Sequence, residues 1–213
     1  MLGGDILIEA LILVLSLCID TFVASMAYGT DRIKIPFTSN IVINLVCSLF
    51  LGISLSLGGL FKEFLPPTVA STLSFFLLLS LGVLRLFESF FKTYIQKFSN
   101  IGAPLTFKLF DFKFVLEIYA SETKADYDKS KNLTIKEAIY LAVALSLDSI
   151  AVGFGSSLIS INYFQVLVLS FFIGVMSLFL GVYFGKKFIE KIDINLSWLS
   201  GSMLILLAII RFI

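Results

Sequence analysis

Six long apolar stretches dominate this 213-residue chain and limit it to one class of fold. They cover roughly residues 6–28, 40–61, 69–91, 137–159, 164–185 and 196–213. Each is close to the ~20 residues with which a helix crosses a ~30 Å hydrocarbon core. Charged residues make up 15% of the chain, against about 25% in soluble domains. Because no stretch alternates with the period of two of a barrel strand, the sequence predicts an all-α polytopic membrane protein with six transmembrane helices.

The two halves of the chain share a sequence pattern. Asp20 lies in the first stretch and Asp148 lies in the fourth, 128 positions later, each with leucines three and seven positions before it. The sequence SLFLG at 48–52 recurs at 177–181, and its final glycines are expected to mark close packing. Each half has an odd number of helices, so the halves must cross the membrane in opposite directions. We therefore predict two inverted three-helix repeats, 1–91 and 136–213, joined by a loop at 92–135.

Lysine and arginine are concentrated in the connections after the first, third and fifth stretches. These residues are Arg32, Lys34, Lys92, Lys97, Lys108, Lys113, Lys124, Lys129, Lys131, Lys136, Lys186, Lys187 and Lys191. The positive-inside rule places these connections, including the 92–135 loop, in the cytoplasm and both termini outside the cell membrane. A net charge of only +1 argues against a nucleic-acid partner. The expected partners are the lipid bilayer and a divalent cation, and the sequence is compatible with a monomer or a homodimer.

Asp20 and Asp148 are the candidate functional residues. An ionised carboxylate in the middle of a bilayer costs on the order of 3 kcal/mol, and such residues usually mark an ion or proton path. Inverted-repeat transporters place their site near the midplane between the halves. Thr21, Ser149 and Asn44 could add neutral oxygens, and a hard oxygen ligand set suits Mg²⁺, Mn²⁺ or Ca²⁺. The alternative is that both aspartates stay protonated and only hold helices together.

Two further polar features of the apolar stretches have structural interpretations. Arg85 and Glu88 lie one helical turn apart near the cytoplasmic end of the third stretch, which favours a helix-end ion pair over a ligand role. Asn44 inside a bundle is more often a hydrogen-bonding contact between helices than an ion ligand.

An intramembrane aspartyl protease would also need two aspartates on different helices. Such enzymes resemble one another in a Gly-x-Gly-Asp motif, whereas here Gly153 and Gly155 follow Asp148. We therefore expect no enzymatic activity and no resident cofactor.

The segment 126–137, at the end of the middle loop, has the spacing of an EF-hand calcium loop. Positions 1, 3, 5, 7, 9 and 12 of such a loop are occupied by Asp126, Asp128, Ser130, Asn132, Thr134 and Glu137. Lys131 replaces the glycine expected at position 6, which should weaken Ca²⁺ binding. Thr134 and Glu137 also match the S/T-x-x-E capping box that would start the fourth helix without any ion. The sequence leaves both interpretations open.

The surroundings of the two aspartates resemble a known family. Residues 18–25 (CIDTFVAS) and 145–153 (LSLDSIAVG) are similar to the paired Asp motifs of the manganese efflux pump family MntP, and the similarity extends through all six stretches. The resemblance implies a LysE-superfamily fold and export of Mn²⁺ with Asp20 and Asp148 in the path. The pump has an acidic residue in its second helix, whereas residues 44–48 (NLVCS) contain none.

The middle of the chain is similar to a sporulation branch of that family, represented by the membrane protein YtaF, which lacks the second-helix acid. The similar segments are 125–130 (ADYDKS), 136–138 (KEA) and 144–148 (ALSLD). The resemblance implies the membrane of a spore-forming bacterium. We therefore predict a sporulation-associated integral membrane protein that transports a divalent cation. The alternative is a non-transporting structural or sensor protein of the sporulation membrane.

Overall fold

Six α-helices make up most of the described part of the chain. The computed structural model describes residues 3–87, 115, 118–119, 122–158, 161–187 and 197–212. The helices are α1 (Gly3–Thr30), α2 (Phe37–Glu63), α3 (Pro67–Leu86), α4 (Ile135–Ser157), α5 (Tyr163–Lys187) and α6 (Ser197–Phe212), with a short 3₁₀ helix at Glu122–Ala125. An isolated parallel bridge joins Lys34 to Asn132. The all-α prediction is thus confirmed for these residues, while most of the 92–121 segment lies outside them.

Five of the helices, α1 to α5, are long and apolar enough to cross a membrane. In α6 the apolar part is shorter, Ser200–Ile210. The outer surface of the bundle has the composition that lipid requires: Leu45, Leu49, Ile53 and Leu57 recur every fourth position of α2, and each is about half exposed. A continuous apolar stripe of this kind would promote aggregation in water, but in a bilayer it contacts acyl chains. The protein is therefore a multi-pass membrane protein.

Local sequence signals fix where the helices begin. α2 follows Pro36, and Pro67 occupies the first turn of α3, where its missing N–H removes no helical hydrogen bond. At the start of α4 the Thr134 hydroxyl accepts a hydrogen bond from the Glu137 N–H, and Glu137 Oε2 accepts one from the Thr134 N–H at 2.8 Å. The capping box predicted from the sequence is confirmed.

Helices of the first half pack mainly against helices of the second half. The principal pairs are α1 with α5, α2 with α4, and α3 with α6. Secondary contacts join α1 to α6, α2 to α5, and α3 to α4. This set of pairs is unchanged when α1, α2 and α3 are exchanged with α4, α5 and α6. The two halves are therefore interleaved, and much of the buried surface lies between them.

Two buried apolar clusters fill the bundle. One contains Leu13, Leu51, Leu78, Val152 and Leu204, contributed by five different helices. The other, at the end of the bundle where α1 ends and α4 begins, includes Tyr28, Ile33, Ile43, Ile118, Leu133 and Leu141. Because Leu133 is fully buried there, the segment that precedes α4 is packed into the protein at this end.

The glycines that end the two SLFLG motifs have different surroundings. A β-carbon on Gly181 of α5 would lie 2.5 Å from the carbonyl oxygen of Phe22 and would also overlap the hydroxyl of Ser25. A β-carbon on Gly52 of α2 would meet only the flexible side chain of Leu167, at 3.3 Å. Close packing is therefore confirmed at Gly181, where backbones meet, and is looser at Gly52.

We expect Gly181→Ala to destabilise the protein and Gly52→Ala to have little effect. The added methyl at residue 181 collides with the α1 backbone, which cannot move independently, and overpacking of this kind costs about 1–3 kcal/mol. Thermal unfolding of both purified variants in the same detergent measures the difference. Equal melting temperatures for the two variants would contradict the close α1–α5 contact.

Candidate ion site between the helices

Asp20 and Asp148 are brought together by Arg85. Arg85 Nη2 lies 2.7 Å from Oδ2 of Asp20 and also forms an ion pair with Oδ2 of Asp148. The exposed fractions of the three side chains are 9% for Arg85, 12% for Asp20 and 13% for Asp148. The two predicted aspartates therefore share one guanidinium in a nearly closed site.

The three charged side chains come from three helices. Asp20 is ten residues from the end of α1 at Thr30, a depth of about 15 Å at the helical rise. Asp148 is nine residues from the end of α4 at Ser157, or about 14 Å. Arg85 is the last residue but one of α3, and its guanidinium remains charged in proteins. A single charge at such a depth would be unfavourable, so the three side chains compensate one another.

Neutral oxygens surround the carboxylates. The Ser200 hydroxyl of α6 lies 3.4 Å from Asp20 Oδ2 and donates to the backbone oxygen of Ser16 at 3.1 Å. The Ser149 N–H donates to Asp148 Oδ1 at 2.7 Å, with the Ser149 hydroxyl 3.5 Å away. Carboxylate, hydroxyl and carbonyl oxygens form the hard ligand set that Mn²⁺, Mg²⁺ and Ca²⁺ accept.

The other two predicted ligands of this site have different surroundings. Asn44 is buried, and its amide nitrogen donates to the backbone and side-chain oxygens of Asn40 at 3.0 and 2.7 Å. Its own side-chain oxygen lies against Gly174 of α5, where an added β-carbon would overlap it. Asn44 therefore lies in the α2–α5 contact, which matches the helix-packing interpretation. Thr21 follows Asp20 on α1 and is partly exposed.

Sequence reasoning missed the role of Arg85. The predicted ion pair of Arg85 with Glu88 lies outside the described residues, and the structure gives Arg85 two aspartate partners from other helices that spacing did not indicate. One signal was available: an arginine inside an apolar helix requires a negative partner, and Asp20 and Asp148 were the predicted intramembrane acids. Local spacing indicated only Glu88 because it cannot reveal partners that are distant in sequence.

The structure also brings together three acids of the 126–137 segment. Asp126, Asp128 and Glu137 each place a carboxylate oxygen within 4.8 Å of the others. Burial raises the pKa of Asp126; the Lys131 N–H bound to its carboxylate opposes the shift, and the charge of Glu137 adds to it. The hydroxyl and N–H of Ser130 lower the pKa of Asp128. The Ser130 hydroxyl donates to the backbone oxygen of Asn132 at 3.1 Å, which places Ser130 and Asn132 in the same turn as the three acids.

Comparison with known proteins identifies the family. The profile of the family described as "Putative manganese efflux pump" matches residues 85–211, more than half of the chain. The chain belongs to this family, MntP. The matched segment contains Arg85 and Asp148, so the resemblance seen in the Asp motifs is confirmed at family level.

Two curated relatives of this MntP family member are informative. "Probable sporulation protein YtaF" of Bacillus subtilis (strain 168) is 28% identical over 173 residues, 80% of each chain. "Putative manganese efflux pump MntP" of Aliarcobacter butzleri (strain RM4018) is 28% identical over 205 residues, 95% of this chain and 97% of the relative. No solved structure gives a significant match.

Loss of the arginine should destabilise the protein because it leaves two buried carboxylates facing each other. We expect Arg85→Met to lower the free energy of unfolding by about 3–5 kcal/mol, the cost of removing one partner of a buried ion pair. Adding Asp20→Asn to this variant removes one of the repelling charges and should restore part of the loss. Thermal unfolding in detergent tests this, with Arg32→Met at an exposed position as the control. If the changes in unfolding free energy caused by Arg85→Met and by Asp20→Asn simply add in the double variant, the shared ion pair is contradicted.

Proposed function

We propose that this chain exports Mn²⁺ across the cell membrane, with Asp20 and Asp148 as ion ligands in the path. The observation that carries the proposal is the convergence of these carboxylates on one guanidinium inside an apolar bundle. Membership of the MntP family supports it, as does the relative named as a manganese efflux pump. Ser149, Ser200 and the backbone oxygen of Ser16 would complete a hard ligand set around the ion.

Arg85 gives this site a mechanism of exchange. Its guanidinium contacts both carboxylates, so it lies where a bound cation would be attracted most strongly. A divalent ion and a guanidinium repel each other at such short range, and the repulsion is strong where water is scarce. Arg85 must therefore leave at least one aspartate when the ion binds. Its return would weaken the hold of the site on the ion and favour release.

The proposed architecture is a pair of inverted three-helix repeats. The repeated motifs are displaced by 128 and 129 positions, and the helix contacts are unchanged when the halves are exchanged. Asp20 and Asp148 lie at similar depths from the ends of α1 and α4. In opposed repeats these ends face opposite sides of the membrane, which gives the two aspartates access from different sides.

We place both termini outside the cell membrane and the 126–137 segment in the cytoplasm, following the distribution of lysine and arginine. A cysteine introduced at the exposed Ser130 should react with a membrane-impermeant maleimide only after the cells are lysed. The matched control is Phe64→Cys, between α2 and α3, where the side chain is 85% exposed. It should react in intact cells. If the cysteine at residue 130 reacts in intact cells and the cysteine at residue 64 reacts only after lysis, the orientation is the opposite of the proposed one.

Transport is tested with purified protein in liposomes that contain a fluorophore quenched by Mn²⁺. We expect Asp20→Asn and Asp148→Asn, made separately, to reduce quenching to the level of protein-free vesicles. Single changes are preferable because the remaining carboxylate still pairs with Arg85. Asp31→Asn removes an exposed acid just beyond α1 and should transport normally. Wild-type rates in both site variants, at matched protein content and orientation, would refute the proposal.

A second candidate function is a non-transporting role in the sporulation membrane. Two observations favour it: residues 44–48 contain no acid, and Asn44 is hydrogen-bonded to Asn40 at a helix contact. The relative from Bacillus subtilis is named as a sporulation protein. In this case wild-type liposomes would show no Mn²⁺ flux, while Arg85→Met would still destabilise the fold.

A further inference from the structure

We propose that the turn formed by residues 126–137 is a second cation site, separate from the intramembrane aspartates, which binds Ca²⁺ through Asp126, Asp128 and Glu137. The site lies outside the apolar bundle, at the start of α4. Its existence does not depend on the proposed transport activity.

The separation of the three carboxylates fits one ion. Their nearest oxygens all lie within 4.8 Å of one another. Ca²⁺ binds oxygen at about 2.3–2.6 Å, so two ligands of the same ion lie no more than about 5 Å apart. Asp126 and Glu137 are buried, with 8% and 7% exposed, whereas Asp128 faces solvent. The cluster thus has a buried floor and an open side through which an ion can enter.

Asp126 supplies the observation that points to a ligand. Its Oδ2 accepts a hydrogen bond from the Lys131 N–H at 3.2 Å, but its Oδ1 is buried and has no hydrogen-bond donor among the described residues. A buried carboxylate oxygen without a partner is unfavourable, and native structures usually satisfy such an atom. A cation among the three carboxylates would satisfy it and would remove their mutual repulsion.

The backbone of the turn meets one requirement of an EF-hand-like loop. Lys131, at position 6, has φ = 59°, the left-handed conformation that glycine normally supplies there. Ser130, at position 5, is held by its N–H to Asp128 Oδ1 at 2.9 Å. Lysine in place of glycine at this position therefore does not prevent the turn. The positive charge of Lys131 still opposes cation binding.

Glu137 connects the cluster to the helix. Its Oε1 accepts from the Tyr127 N–H at 3.0 Å, and its Oε2 accepts from the N–H and the hydroxyl of Thr134 at 2.8 and 2.7 Å. The same carboxylate is thus the helix cap and the twelfth-position residue of the loop. The two interpretations of Glu137 are compatible, because each carboxylate oxygen can accept more than one interaction.

The segment also contacts the ends of two other helices. The Leu133 N–H donates to the Lys34 carbonyl at 2.9 Å, and the Lys34 N–H donates to the Lys131 carbonyl at 2.8 Å. The Ser39 hydroxyl of α2 donates to the Leu133 carbonyl at 2.8 Å. Bound Ca²⁺ would therefore stiffen the junction at which α1 ends and α2 and α4 begin. α1 and α4 carry Asp20 and Asp148, so an ion bound at the turn would act on the two helices of the proposed transport site; this last step rests on the proposed function.

The ligand set favours Ca²⁺ over Mg²⁺. A turn of carboxylate, hydroxyl and carbonyl oxygens with one open side provides irregular geometry and room for water. Ca²⁺ accepts six to eight such ligands, whereas Mg²⁺ requires a nearly ideal octahedron of shorter bonds.

Terbium luminescence tests the site in the full-length protein in detergent, with Tb³⁺ as a probe for Ca²⁺. Tyr127 lies within the turn and is 45% exposed, so it can sensitise an ion bound there. We expect a saturable signal that Ca²⁺ displaces. Asp126→Asn and Asp128→Asn should each weaken binding about tenfold or more, because fewer charged ligands remain. Asp31→Asn, which removes an exposed acid outside the cluster, should leave the titration unchanged.

Lys131→Gly provides a test in the opposite direction. The substitution removes a positive charge. It also removes the β-carbon that makes the left-handed conformation unfavourable, so Ca²⁺ binding should become tighter. This variant keeps the proposal falsifiable if Asp126→Asn fails to fold. A wild-type protein without a saturable signal, or equal binding in Asp126→Asn, Asp128→Asn and Asp31→Asn, would overturn the site.

The test separates this site from the intramembrane one. The Tyr127-sensitised signal should persist in Asp148→Asn, because that residue lies deep in α4. Loss of Mn²⁺ flux with an intact terbium signal would support both proposals. Mn²⁺ flux in the wild-type protein without a terbium signal would overturn only the Ca²⁺ site.

Discussion

The ion pairs of Arg85 with Asp20 and Asp148 are the interaction on which the interior of this bundle depends. None of the three charges would be stable alone among apolar helices, and together they connect α1, α3 and α4. Apolar contacts between helices are weak determinants of register in lipid, because acyl chains compete for the same surfaces. The charged contacts are directional, so they fix the rotation of each helix. Ser200 and Ser149, bound to the carboxylates, extend this control to α6 and to the adjacent turn of α4.

Asp20, Asp148 and the 126–137 turn are linked through shared helices. α4 begins within the acidic turn and carries Asp148 thirteen residues later. α1 carries Asp20, and the chain just after α1 pairs with the same turn through Lys34. The fold thus connects the acidic turn and the buried carboxylates through two helices.

Much of the fold could be predicted because its signals are local. Hydrophobic length gave the helices, and the S/T-x-x-E spacing gave the start of α4. The features that escaped prediction depend on residues far apart in sequence. Spacing gave Arg85 a local partner in Glu88, but its contacts with two aspartates depend on the tertiary structure. The sequence left two roles open for Asn44, and its specific contact with Asn40 could not be read from spacing alone. The left-handed backbone of Lys131 could not be inferred either, because a lysine favours other conformations when isolated.

The interleaved helix pairs have a consequence for biogenesis. α1, α2 and α3 find their principal partners in the second half, so the first half enters the membrane before those partners exist. At 5–20 residues per second, the wait for the remaining chain is roughly 6–24 s. During this interval Asp20 and Arg85, both already synthesised, can neutralise each other. Asp148 arrives later and completes the cluster from α4. The Arg85–Asp20 pair thus avoids exposure of a lone charge to lipid while only the first half has been synthesised. The Arg85–Asp148 pair then joins the two halves.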